Sequence, residues 1–192
     1  MAKLVYKVVK KKRGADAKRL ELRNNFWPDL DDDMLWLRKK RAGFTTIPRT
    51  MSLIGRAMDQ LSGKGFPVFS TYLALWCRVY DEAFVEIRNE RELTFESGFS
   101  GPRGEVTWRT RMRRLQDLGF IDIRPGLASD LQFVLIWNPI KVIAKAYEGR
   151  TDDIAYSALK VRLVEVGAND LDKPIHIDDE DRDADDDENS ED

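Results

Sequence analysis

Apolar residues recur along this chain with spacings that predict its elements. Met51, Leu53, Ile54, Ala57, Met58 and Leu61 recur with helical spacing, one to three residues apart, and Gly63 closes the pattern. After Pro67 and Ser70, the run STYLALWCRVYDEAF places apolar residues on nearly every face. Ser70–Phe84 is therefore expected as a central, buried helix. Phe84–Ile87 reads as a short strand. Asn89 and Glu92 have capping-box spacing and open another helix, which stops at Gly98. A longer helix is predicted within Glu105–Leu118, ended by Gly119. Phe120–Ile123 and Leu131–Trp137 read as partner strands, with a turn starting at Pro125–Gly126. Two more helical patterns, about Pro139–Tyr147 and Asp152–Val166, close the body, and no internal repeat is visible.

Upstream the pattern is less regular. Residues 1–24 hold nine Lys or Arg against Asp16 and Glu21. Leu4–Val9 reads as a short strand and Lys10–Arg13 as a solvated arm. Asp31–Asp33 then precede Met34–Leu37, and Arg38–Arg41 follow before Gly43. Acids at the start and bases at the end suit the helix macrodipole, so a short helix is expected, docked on the core by Phe26, Trp27, Leu35 and Trp36. The chain thus divides into a basic arm with a docking helix (1–49), a central domain (50–150), a C-terminal helix (151–169) and an acidic tail (170–192).

Charge sharpens this picture. Hydrophobic residues make up 42% of the 192 residues, enough for a real core, while 34% are charged with a net of only −2. From Asp170 to Asp192, thirteen acids face Lys173 and Arg182, a net of −11 that leaves +9 on residues 1–169. A basic body with an acidic tail points to nucleic acid. The tail has no large apolar residue after Ile177 and is expected to be disordered.

Several chemistries drop out. Cys77 is the sole cysteine, which excludes an internal disulfide and any multi-cysteine zinc site; its apolar surroundings suggest a small buried hydrophobe. No apolar stretch approaches the ~18 residues that span a bilayer, so no membrane is expected. The N-terminus, MAKLVYKVVKKKRG, lacks the apolar core and cleavage site of a secretory signal. The expectation is a soluble, cytoplasmic, nucleoid-associated protein. His176, the sole histidine, lies in the acidic tail, so a Ser-His-Asp or Cys-His device would have to recruit a residue expected to be disordered. GFSGPRG fits neither the phosphate-loop nor the dinucleotide-binding spacing, and the tail aspartates have no ligand geometry. No enzyme, metal or cofactor is expected.

From Ser70 to Trp137 the predicted order is helix, strand, helix, turn, helix, strand, turn, strand. The segment ELTFESGFSGPRGEVTWRTRMRRLQDLGFIDIRPG, Glu92 to Gly126, carries Leu93 ahead of a Gly98-Phe99-Ser100 turn. Thr107 and an amphipathic helix ending LQDLGFI follow, with a strand pair right behind. In these features it resembles the bacterial winged helix-turn-helix superfamily, over about seventy residues. Gly101–Val106 makes the turn several residues longer than the family's usual one. The fold class implied is α+β, mainly α: a winged helix-turn-helix core with additional N- and C-terminal helices.

On a helical wheel, Trp108, Met112, Leu115 and Leu118 share one side and should face the core. Arg109, Thr110, Arg113 and Arg114 fall largely on the other, with Arg103 and Thr107 near the start, where recognition helices meet base edges. Arg111 flanks the apolar stripe and is expected to send its charge out to solvent. Arginine can pair bidentately with guanine, and threonine offers a hydroxyl and a methyl to thymine. The candidate DNA contacts are therefore Ser100, Arg103, Thr107, Arg109, Thr110, Arg113 and Arg114, with Arg124 from the wing. The arm adds Lys10, Lys11, Lys12 and Arg13.

These features predict a sequence-specific double-stranded DNA-binding protein: a transcriptional regulator, or a plasmid or mobile-element control, partition or replication factor. The helices Thr50–Leu61 and Asp152–Val166 carry more apolar surface than a small winged helix needs, which predicts a homodimer. The alternative is a protein-interaction module that uses the winged helix as a scaffold and docks a further protein partner.

Overall fold

The computed structural model describes residues 17–29, 34–38, 42–150, 153–168 and 170–171. The chain divides into two compact units, Met1–Phe44 and Thr45–Asp192. The expected Leu4–Val9 strand, the Lys10–Arg13 arm and the Asp178–Asp192 tail lie outside the described residues.

In the first unit, helix α1 covers 17–26 among the described residues. Its sequence there, AKRLELRNNF, begins with seven strong helix formers, which explains a helix in a stretch for which only its basic charge was noted. Of the short helix expected around Met34–Leu37, the described residues 34–38 show no α-helical turn, and Leu35, Trp36 and Leu37 have no helical backbone. The four apolar anchors assigned to it fare unevenly. Phe26, Trp27 and Trp36 are exposed and only Leu35 is half-buried.

The second unit is α+β and mainly helical. Its elements run α2 (Met51–Ser62), α3 (Phe69–Trp76), β1 (Phe84–Glu86), α4 (Glu90–Glu96), α5 (Gly104–Asp117), β2 (Ile121–Arg124), β3 (Phe133–Ile136), α6 (Pro139–Ala146) and α7 (Ile154–Val166). The strands form one antiparallel sheet in the order β1-β3-β2, with Val85 opposite Val134 and Ile123 opposite the same residue from the other side. Alternation is kept: Ile121 and Ile123 of β2 are buried, as are Val134 and Ile136 of β3.

The helices are punctuated by side chains that satisfy their orphan N–H groups. Asp59 of α2 accepts from the Val68 and Phe69 amides at 2.7 and 2.9 Å and so starts α3. Asn138 caps α6, with Pro139 in its first turn, and Asp153 caps α7. Helix α2 packs against α3, α6 and α7. Gly55 makes the α2–α3 crossing possible, because a Cβ there would lie 2.5 Å from the Phe69 ring. Ile54, Met58, Tyr72, Leu75, Trp108, Met112, Leu115 and Phe120 are fully buried and form the centre of the core.

Helix α3 stops at Trp76, short of the Phe84 that the apolar run suggested. The Arg78 and Val79 amides bond back only three residues, and Ala83 sits at φ 55°, which turns the chain into β1. The sheet wins this contest by supplying β1 with a partner strand. Two side chains move outward as a result: Tyr80 is exposed, and so is Cys77, which is not the buried hydrophobe expected. Among the described residues no helix is long and apolar enough to cross a membrane.

Candidate nucleic-acid interface

Helices α4 and α5 are set at a fixed angle by the turn between them. Asn89 caps α4 by accepting from the Arg91 amide, and its Nδ2 donates to Glu92 Oε1, a side-chain variant of the expected capping box. At the other end, the Phe99 amide bonds to the Thr94 carbonyl and the Gly98 amide to Phe95. That double closure requires a left-handed residue, supplied by Gly98 at φ 85°. Residues 97–103 then lead into α5, which begins at Gly104, two residues before the long turn was expected to end.

The phase of α5 is as the wheel predicted. Trp108, Met112 and Leu115 are fully buried and Leu118 is half-buried. On the opposite side, Val106, Thr110, Arg113 and Asp117 form the outward line and are exposed. Arg111 is largely buried, as a stem covering core surface should be, but its Nε is enclosed without a hydrogen-bond partner among the described residues. Its guanidinium lies over an aromatic ring, 3.5 Å from the centre of Phe66, and burial lowers its pKa.

The arginines expected on one open face are largely engaged within the molecule. Arg109 makes a two-pronged contact with Glu90 at the start of α4, Nε–Oε2 and Nη2–Oε1 both 2.8 Å. Its Nη1 donates to Asp130 Oδ1 at 2.7 Å, and Arg113 Nη2 donates to Asp130 Oδ2 at 2.5 Å. Ser129 Oγ bonds to Glu90 and accepts from the Leu131 amide. One network thus joins α4, α5 and the β2–β3 loop. The hydrogen bond from Arg109 holds the Asp130 carboxyl below the usual range, and Asp130 in turn raises the pKa of Arg109. Arg114 points elsewhere: its Nη2 donates to the Leu61 and Ser62 carbonyls, both at 3.2 Å, and so closes the C-terminal end of α2.

The remaining candidates spread around the start of α5. Ser100 and Arg103 are exposed in the turn, and Arg103 has no ion-pair partner among the described residues. Thr107 and Thr110 turn their hydroxyls back onto the helix, donating to the Arg103 and Val106 carbonyls at 3.0 and 2.8 Å. Arg124, on β2, pairs with Asp122 at 3.0 Å and stays 75% exposed. Lys10, Lys11, Lys12 and Arg13 lie outside the described residues.

Three further side chains belong to this surface. Val106 is 66% and Phe95 76% exposed, and Arg91, paired to Glu105 at 2.8 Å, projects from α4. The wheel itself carried the signal for Val106, which sits opposite Trp108, Met112 and Leu115. A search for charge alone passes over it.

Residues 45–169 hold seventeen Lys or Arg against fifteen Asp or Glu, so most of the positive excess belongs to the first 24 residues. Among the described residues no group of three His, Cys, Asp or Glu could hold a metal ion. No protein-family model, curated protein or solved structure matches this chain.

Proposed function

We propose that this chain is a sequence-specific double-stranded DNA-binding protein with a winged helix-turn-helix core, acting as a transcriptional regulator or as a plasmid or mobile-element control, partition or replication factor. The observation that carries the reading is the arrangement around α5. Helices α3, α4 and α5 precede a β2–β3 hairpin, β1 pairs with β3, and the outward line of α5 is left open beside the hairpin. That order matches the winged helix-turn-helix plan, in which the second motif helix enters the major groove and the hairpin lies alongside. The basic residues 1–24 supply the sequence-independent attraction to phosphate, with Lys10–Arg13 as the arm.

Dimerisation belongs to the same proposal. The apolar face of α2 is consumed by α3, α6 and α7. On α7, however, Ile154, Val161 and Val164 stand exposed on the side away from the buried Leu159 and Leu163. A helix apolar on both sides suits a second contact, and a two-fold pair would set two copies of α5 on successive half-sites. Light scattering at tens of micromolar checks this, and a monomer with and without duplex overturns it.

A second reading, a protein-interaction module without DNA specificity, is favoured by Phe95, a large apolar side chain exposed on α4. Titration of labelled random duplex separates the two. The DNA-binding reading expects an affinity that falls on the order of 10³-fold between 50 and 200 mM salt if about six phosphates are contacted. No duplex affinity at low salt overturns it in favour of the second.

A further inference from the structure

The chemistry left exposed at the start of α5 is methyl groups. Val106 sits on its outward line, directly away from the core, and is 66% exposed. One turn later comes Thr110, exposed, with its hydroxyl committed to the Val106 carbonyl at 2.8 Å. Thr107, half-buried beside them, commits its hydroxyl to the Arg103 carbonyl at 3.0 Å. A threonine bonded this way has its donor in use and offers its methyl.

Three of the guanidiniums on α5 itself already have internal partners. Arg109 is bound on three sides by Glu90 and Asp130, Arg113 shares Asp130, and Arg114 closes α2. Bidentate reading of guanine needs a guanidinium with two N–H groups to spare, which Arg109 lacks, while Arg113 would have to turn from the Asp130 carboxylate that holds its Nη2. In the major groove the single apolar group at a base edge is the C5-methyl of thymine. Near the start of α5, Arg103 is exposed, and Arg91, paired to Glu105, is 86% exposed; cations this open to solvent are suited to phosphate contacts.

We propose that Val106 and the methyl group of Thr110 form a specificity site for thymine, packing against C5-methyl groups in the major groove while Arg91 and Arg103 hold the backbone. This rests on the DNA-binding reading above and adds which base the helix selects. A charged-face helix would select guanine.

The test uses the full chain and duplexes recovered from a random pool. Thymine should be enriched at the central positions of each half-site. The recovered duplex is then remade with deoxyuridine in place of thymine, which removes the methyl and leaves every hydrogen-bonding group unchanged. Affinity should fall about fourfold for each contacted methyl, the value of burying one such group. Val106→Ala should lose the part of that difference that Val106 carries, about fourfold for one methyl contact, while Thr110 keeps its own share. Arg103→Ala should weaken both duplexes alike and keep the discrimination. Val106 is exposed, so a thermal melt should show both variants folded as the parent chain is. Equal binding of thymine and deoxyuridine duplexes by the parent chain overturns the proposal, as does a Val106→Ala variant that keeps the whole difference. Binding with guanine enriched in place of thymine also overturns it and leaves the DNA-binding reading standing. No duplex binding at any salt overturns both.

Discussion

Replacing Asp130 with Asn should tighten DNA binding while costing little stability. Asp130 is the one acid that both Arg109 and Arg113 share, at 2.7 and 2.5 Å. Its side chain is 48% exposed, and those of Arg109 and Arg113 are 37% and 58% exposed. Ion pairs this open to solvent are screened and contribute ~0–1 kcal/mol each, so the substitution should cost about 1 kcal/mol in total. The arginines hold the Asp130 pKa below its unfolded value of ~3.9. A depressed carboxylate pKa gives stability that is present above the unfolded value and is lost as pH falls through the folded one. Urea melts at pH 7 should therefore separate the Asp130→Asn variant from the parent, and the two should converge toward pH 2.

The binding side of the same variant can be worked through. Arg109 keeps both contacts to Glu90, so the substitution releases chiefly Arg113. One more guanidinium able to reach a phosphate steepens the slope of log affinity against log salt by about 0.9. Between 50 and 200 mM salt, the advantage of the variant should shrink about threefold. Fluorescence anisotropy with a labelled duplex reads both numbers. A variant that binds no more tightly than the parent at 50 mM salt, with an unchanged slope, would refute the idea that Asp130 restrains a DNA-facing arginine.

Trp108→Ala removes the largest fully buried side chain and should cost roughly 3–5 kcal/mol, seen as a sharp drop in melting temperature by circular dichroism. Replacing Lys10, Lys11, Lys12 and Arg13 together with alanine should make the salt slope shallower by at least about 1 while leaving the melt unchanged; an unchanged slope excludes the arm from the complex. Truncation after Leu171 keeps the Asn138–Asp170 hydrogen bond of 2.9 Å and removes most of the tail's negative charge. Because a tethered acidic strand competes with phosphate at high effective concentration, the shortened chain should bind random duplex more tightly at low salt, with the difference fading as screening rises. Equal affinities at low salt would leave the tail no part in DNA binding.

How much of this was legible in the sequence depends on the range of the contacts involved. From Met51 onward, the elements followed from periodicity and punctuation, because Gly63, Asn89, Gly98 and Gly119 act on their own neighbours. The end of α3 was hidden for the opposite reason. A run apolar on every face carries no phase, and what stops the helix is a strand partner, β3, some fifty residues away. Helix α1 went unread because its Lys and Arg residues were taken for their charge, though they are also good helix formers.

The fate of the arginines shows the same limit at the candidate site. The wheel placed Arg109 and Arg113 correctly on the side away from the core, yet it could not tell that Glu90 and Asp130 would meet them there. Glu90 precedes Arg109 by 19 residues and Asp130 follows it by 21, and only the packing of α4 and the hairpin against α5 brings all three together. Residues 45–169 are nearly neutral, so most of their arginines can find an internal acid. A count of positive residues along a helix therefore overstates what is offered to a ligand. What α5 offers is the remainder after the internal pairs are made: the methyl groups of Val106 and Thr110, with Arg103 beside them. On the proposed DNA-binding reading, that remainder separates affinity from selectivity: the arm and the exposed cations would supply the first and the methyl groups the second.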